Sequence, residues 1–250
     1  MKHIYILFFI LLVSFSCKNK GELQPAIILS FDDDHIESWY KARSLFKKYD
    51  AKVTFFISRP QKLNKIQLWM LKQLENDGNE IACHTLNHSN IKLYIDSFGE
   101  KKYVNIEIDS CITILRKSSF KITSFAYPLG LDDKKIIEHL KSRFTFQRGS
   151  IYNKNKCGLD KLDNIFIQNK HQYYSESMGI DINFGNTFER IKSGIDRCLS
   201  NNEIMLINAH KILDSNASEY QIEIKALDSI FSYSKRHNIR FIRCSDLTNN

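Results

Sequence analysis

Short apolar runs alternate with longer stretches of helical period along most of this chain. Ala26–Phe31 suits a buried strand, and Trp39, Ala42, Leu45, Phe46 and Tyr49 then recur at helical spacing. Lys52–Ile57 (KVTFFI) predicts the next strand, residues 64–76 a helix ending at Asp77-Gly78, and Glu80–Cys83 a short strand. A long amphipathic segment over 99–117 leads to a strand at Ile122–Tyr127 that stops at Pro128. Asp132 and Asp133 open a helix carrying Ile136, Ile137 and Leu140, where acids favour the positive end of the helix dipole. Phe144–Gln147 adds a strand, and residues 149–186 read as irregular except for short strands at Ile165–Ile167 and Met178–Ile182. Asn186 caps a helix bearing Phe188, Ile191, Ile195 and Leu199. Glu203–Asn208 is the following strand, 218–237 the last helix and Ile239–Cys244 the final strand. No internal repeat or second domain boundary interrupts the order. Seven or eight strand–helix units in about 225 residues predict an α/β fold, a distorted or incomplete (β/α) barrel of seven to eight strands rather than an open sheet.

One run departs from this rhythm. Ile4–Ser16 is almost unbrokenly apolar behind Lys2 and, at about 13 residues, is too short to cross a hydrocarbon core of roughly 30 Å as a helix. It reads as the core of a signal peptide over residues 1–16. The run ends at Ser14-Phe15-Ser16-Cys17 and gives way to Lys18-Asn19-Lys20-Gly21-Glu22. This cysteine resembles the lipidation site of bacterial lipoproteins, with Ser14 where Leu is usual. The resemblance implies a lipid on Cys17, a polar tether over 17–25, and a mature chain of 234 residues whose domain occupies 26–250. It also implies export and a lipid anchor at the cell envelope, on the periplasmic or outer surface.

Composition narrows the classes further. With 43% hydrophobic and 26% charged residues, the 250-residue chain can build one substantial core and is not disordered. Nine glycines and three prolines exclude collagen-like and low-complexity classes, and a mean hydropathy of −0.33 excludes a polytopic membrane protein. The net charge of +8 (36 Lys and Arg, 28 Asp and Glu) invites a nucleic-acid reading. Against it, the lysines are scattered along helices as on a solvated face, no reader motif occurs, and an exported chain meets no cytosolic DNA, so no nucleic-acid partner is expected. Removing residues 1–16 leaves 35 basic residues against 28 acidic, +7, which fits an anionic envelope surface or an acidic glycan. If Cys17 carries lipid, five cysteines remain (Cys83, Cys111, Cys157, Cys198, Cys244), with no CxxC or zinc-ribbon spacing, and they read as small buried residues.

In a (β/α) barrel the chemistry sits at the carboxyl ends of the strands. The first strand ends in Asp32-Asp33-Asp34-His35, the one at 80–83 in His84-Thr85-Leu86-Asn87-His88, and the one at 203–208 in Ala209-His210. Singly, each has a bland reading: caps and solvated acids, with Asp34 capping the next helix, a chance histidine pair, a structural histidine. Together they converge on one rim. A carboxylate and two imidazoles form a three-ligand set for a catalytic divalent ion, and two histidines at i and i+4 face one way on a helical turn. A second carboxylate beside them suits the base of a metal-assisted hydrolase, and a histidine on another strand its acid.

These residues resemble the motifs of the polysaccharide deacetylase family, the carbohydrate esterases built on the NodB homology domain. Ser30-Phe31-Asp32-Asp33-Asp34 is similar to the family's Thr/Ser-Phe-Asp-Asp-Gly, and His84-Thr85-Leu86-Asn87-His88 to its His-Ser/Thr-x-x-His. Ile204-Met205-Leu206-Ile207-Asn208-Ala209-His210 resembles its last, an apolar strand followed by His. The resemblance implies Asp32 as base, His210 as acid, Asp33, His84 and His88 as ligands of a divalent metal, zinc first, and an acetylated polysaccharide as substrate. It also implies an oxyanion or substrate contact from the Leu129 N–H, from Tyr127 and from Asp181, which is placed as the fourth motif's Asp. Two departures stand out: Asp34 replaces Gly, and Ala126-Tyr127-Pro128-Leu129 lacks the arginine that opens the third motif, Arg-x-Pro-Tyr/Phe, and usually holds the base. The missing arginine leaves a second reading, a catalytically impaired glycan-binding lipoprotein on the same barrel. Tyr152, His171, Tyr173 and Tyr174 read either as sugar-stacking rim aromatics or as ordinary loop aromatics.

Overall fold

The computed structural model describes residues 23–169 and 171–248, so the apolar run before Cys17, and Cys17 itself, lie outside the described residues. The strands are β1 (Ala26–Asp33), β2 (Thr54–Ile57), β3 (Glu80–Cys83), β4 (Ser124–Ala126), β5 (Phe146–Ile151), β6 (Phe166–Ile167), β7 (Tyr174–Gly179), β8 (Ile204–Ala209), β9 (Lys211–Leu213), β10 (Gln221–Glu223) and β11 (Arg240–Phe241). Among the described residues, β1, β2, β3, β4, β5, β7 and β8 pair in parallel in that order, and β8 pairs back onto β1, Ala26 opposite Ile204 through Phe31 opposite Ala209. The sheet is therefore a closed seven-stranded barrel, as the alternation of runs predicts.

A strand's two-residue period sorts each side chain to one of two cores. Ile28, Phe56, Ala82, Ala126, Phe146 and Leu206 fill the barrel, whereas Ile27, Leu29, Phe31, Phe55, Ile81, Phe125, Tyr127 and Ile207 belong to the larger cluster shared with the helices. Both faces are covered, which is why β1 and β8 read as continuous apolar runs. At the amino-terminal end, where β2 has not yet begun, β11 pairs with Ala26 and Ile27 while Phe241 accepts from the Lys52 N–H. Glu80 closes that end, its carboxylate accepting from Thr54, Thr123, Ser124 and the Ser245 N–H.

The helices are α1 (Ile36–Lys41), α2 (Arg43–Lys48), α3 (Lys65–Asn76), α4 (Ile91–Phe98), α5 (Glu100–Tyr103), α6 (Ser110–Lys117), α7 (Lys134–Leu140), α8 (Phe188–Asn201) and α9 (Ile224–Arg236), with a π-helical turn at Val104–Asp109 between α5 and α6. Several boundaries differ from the sequence reading. The helix through Trp39 and Tyr49 breaks at Ala42. Asn90 caps an additional helix, α4. Thr187 rather than Asn186 caps α8; the Asn186 side chain is engaged elsewhere, its Oδ1 accepting from Asn153 Nδ2 and its Nδ2 donating to the Gly179 carbonyl. Residues 221–223 pair with β9 instead of beginning the last helix. No helix among the described residues is long and apolar enough to cross a membrane, and the cysteines there are free thiols.

Candidate active site

Asp32 points into the barrel, on the same side of β1 as Ile28, and is only 4% exposed. A buried carboxylate needs a partner, and Arg148 on β5 supplies it: Nη2 lies 2.8 Å from Oδ1 and 2.7 Å from Oδ2. Arg148 is itself held, Nη1 donating to Ser177 Oγ at 2.9 Å and the guanidinium lying over the Phe56 ring. Ser177 donates in turn to Asn208 Oδ1 at 2.8 Å. Arg148 stands directly opposite Ala126 in the β4–β5 register, the position where the third-motif resemblance expects arginine. The cation is thus present, one strand over.

The next residue, Asp33, has φ 84°, a region that non-glycine residues seldom occupy. That twist lets two consecutive aspartates reach the same cavity, where strict alternation would separate them. Asp33, His84 and His88 each offer one ligand atom, all within 4.8 Å of one another. His88 Nε2 is 3.2 Å and His84 Nε2 3.9 Å from Asp33 Oδ1. His84 Nδ1 is 2.9 Å from the Ala126 carbonyl, which fixes the proton there and leaves Nε2 free to bind. Burial pushes the His84 pKa down to about 4, against the raising influence of Asp32 and Asp33, so the ring is neutral at pH 7 as a ligand must be. Burial works to raise the Asp33 pKa, but His84, His88, His210 and His35 outweigh it and lower it, keeping the carboxylate ionised. The donor set therefore suits a divalent ion. The histidines do not meet on a helical turn, however: residues 84–90 form a loop in which Thr85 (φ 68°) and His88 (φ 60°) are left-handed.

Across the cavity, His210 follows β8. Its Nδ1 is 2.6 Å from Asp181 Oδ2, its backbone N–H donates to Asp181 Oδ1 at 3.0 Å, and its carbonyl accepts from Trp39 Nε1 at 2.7 Å. Burial would lower the His210 pKa, but the Asp181 hydrogen bond and the charges of Asp32, Asp181 and Asp33 raise it above the ordinary imidazole value.

A cavity of about 530 Å³ joins these groups, lined by Asp32, Asp33, His84, His88, Arg148, Asn208 and His210 at its base and by Leu129, Tyr152, Phe184 and Tyr220 at its rim. Leu129 occupies a left-handed position (φ 60°) in the turn Pro128–Gly130, whose backbone hydrogen bonds use the Gly130 and Leu131 N–H groups. Three sequence expectations are corrected. Tyr127 makes no approach to the cavity: one step past inward-facing Ala126, it points into the helix layer and donates to Gln147 Oε1 at 2.6 Å. Asp181 stands behind His210 rather than against substrate. Asp34 caps nothing; His35 holds the N-cap position of α1 without a side-chain cap, and Asp34 is 3.9 Å from Arg59. Of Tyr152, His171, Tyr173 and Tyr174, only Tyr152 lines the cavity. Tyr173 pairs with Glu138 and Tyr174 with Asp132.

A family profile described as "Polysaccharide deacetylase" matches residues 19–143. Among curated proteins, none matches in sequence. Solved structures share the fold at low identity. The Xyl-CE4 domain of a multidomain xylanase from the hindgut metagenome of Trinervitermes trinervoides is 16% identical, with 90% of each chain covered and a TM-score of 0.56. The catalytic domain of a peptidoglycan N-acetylglucosamine deacetylase from Eubacterium rectale is 14% identical, with 92% of each chain covered and a TM-score of 0.57. A CE4 family pseudoenzyme from Bacillus anthracis is 13% identical over 90% of this chain and 66% of that one, with a TM-score of 0.56.

Proposed function

The chain belongs to the polysaccharide deacetylase family, and on that premise we propose that it is a metal-dependent hydrolase removing acetyl groups, N-acetyl or O-acetyl, from a cell-envelope or extracellular polysaccharide. One observation carries this reading: the three ligand atoms of Asp33, His84 and His88 converge beside a buried Asp32 that Arg148 holds by both oxygens. Asp33, His84 and His88 would hold a divalent ion, zinc being the best match to two imidazoles and a carboxylate, and the ion would supply a water of lowered pKa and a Lewis acid for the acetyl carbonyl.

The protein's own groups do the rest. Asp32 accepts the proton of the attacking water, its orientation set by Arg148 Nη2, which meets both carboxylate oxygens. The Leu129 N–H donates to the oxyanion that develops on the acetyl carbonyl. His210 Nε2 carries the proton for the departing amine or alkoxide, while Asp181 on Nδ1 keeps the ring aimed and protonated. A C–O bond forms, the C–N or C–O bond to the sugar breaks, and acetate and the free amine or hydroxyl leave.

Under the same proposal the mature chain is exported and anchored at the envelope through lipid on Cys17, a reading supported by the apolar run that ends at this cysteine. Loss of detergent-phase partitioning in Cys17→Ala checks that part. The activity is tested by acetate release from acetylated peptidoglycan, chitin, xylan and exopolysaccharide fragments, with zinc and with chelator. Zinc-dependent release from at least one is expected. Zinc binding without release from any would overturn the enzyme and leave the glycan-binding reading.

A further inference from the structure

The buried stripe of the 103–115 segment runs through Tyr103, Ile108, Cys111 and Leu115, and it includes one carboxylate, Glu107, with no exposed surface. Burying an ionised carboxylate is costly unless its oxygens are bonded. Among the described residues no lysine or arginine pairs with Glu107. Its partners come instead from the loop that carries the metal-ligating histidines. Glu107 Oε2 accepts from the Asn87 N–H at 2.9 Å, and Oε1 from Asn87 Nδ2 at 2.8 Å and Ser89 Oγ at 3.0 Å. The Glu107 carbonyl accepts from the Leu86 N–H at 2.7 Å. Residues 86, 87 and 89 are thus tied to one glutamate on either side of His88.

The loop needs such a tie. Thr85 and His88 both hold left-handed backbone, which non-glycine residues keep only where the surroundings impose it. The imposing element is the π-helical turn Val104–Asp109, a widened turn of the kind that recurs at functional sites. We infer that Glu107 is a positioning residue for the metal centre: it sets the backbone of residues 85–89 so that His88 Nε2 faces Asp33 and His84. This rests on the metal-dependent reading above, and the metal ligands themselves are untouched by it.

The test compares the full chain with Glu107→Gln, which keeps size but turns an N–H₂ toward loop donors that need an acceptor. Zinc affinity, read by competition with a chromogenic chelator, is expected to fall about 10- to 100-fold, the usual cost of losing an outer-shell support. In metal-free protein the Asn87 and Leu86 amides are expected to exchange faster, while barrel amides keep their protection. A folded Glu107→Gln with unchanged zinc affinity and unchanged exchange at these amides overturns the inference. Should that variant fail to fold, the surface-side double variant Asn87→Ala with Ser89→Ala removes two of the three carboxylate donors, and it too must weaken zinc; unchanged affinity overturns the inference again. Absence of zinc binding by the unaltered chain would instead refute the metal-dependent reading, so the two failures are distinguishable.

Discussion

Replacing Arg148 with glutamine removes the cation from a pair whose side chains are 1% and 6% exposed. At such burial solvent screening is slight, and stripping one partner from a buried ion pair costs about 3–5 kcal/mol because the other charge is left uncompensated. For a domain of this size each kcal/mol shifts the melting temperature by roughly 2–4 °C, so Arg148→Gln is expected to melt about 6–20 °C lower by calorimetry. Turnover suffers separately. Without Arg148 Nη2, Asp32 keeps, among the described residues, a 3.5 Å contact from Asn208 Nδ2, and a base displaced by about 1 Å loses on the order of 100-fold in rate. Arg148→Lys keeps the charge but cannot hold both Asp32 and Ser177 as the two guanidinium nitrogens do, and falls between. Because Ala126 is registered against Arg148, on strands about 4.8 Å apart, the double variant Ala126→Arg with Arg148→Ala is expected to recover much of both losses. Wild-type melting and acetate release in Arg148→Gln would refute the claim that this arginine holds the base.

Other outcomes rest on the same geometry. In Asp181→Asn, His210 loses the carboxylate whose charge and charge-assisted hydrogen bond raise its pKa. Since a general acid works only while protonated, the alkaline limb of the pH–rate profile should move to lower pH, and an unmoved limb contradicts the role. At Gly179 an added Cβ would lie 2.4 Å from the Phe184 ring, so Gly179→Ala should push Phe184 from the cavity rim. It should raise KM for a glycan fragment and lower stability by about 1–3 kcal/mol; unchanged KM and melting would show that the ring yields freely.

Much of this site was legible because barrel strands with two covered faces are short apolar runs, and the polar residues at the carboxyl end of each run form the rim. Asp32, Asp33, His84, His88 and His210 all announce themselves that way. Arg148 did not, because β5 (FQRGSI) and β7 (YSESMG) are polar strands. Their inward residues near the rim, Arg148 and Ser177, belong to the Asp32 network, so an apolar pattern ends at Gln147 just before the residue that matters. Tyr127 departs from its expected place for the converse reason: motif spacing says nothing about which face a residue takes, and the two-residue period turns it outward. Backbone conformation was hidden too. Positive φ at Asp33, Thr85 and His88, all without glycine, places two aspartates in one cavity and folds the histidine pair without a helix. Glu107 carried a readable sign, an acid on an apolar stripe.

The structural relatives include the CE4 domain of a xylanase, the catalytic domain of a peptidoglycan deacetylase and a CE4 family pseudoenzyme, so the barrel alone does not decide between turnover and binding. The proposed turnover rests on the residues around Asp32. The most direct measurement is acetate release and zinc stoichiometry in Asp32→Asn. The account expects the variant to fold, to bind one zinc through Asp33, His84 and His88, and to lose about 10²- to 10⁴-fold in rate. Undiminished acetate release from that protein would contradict it.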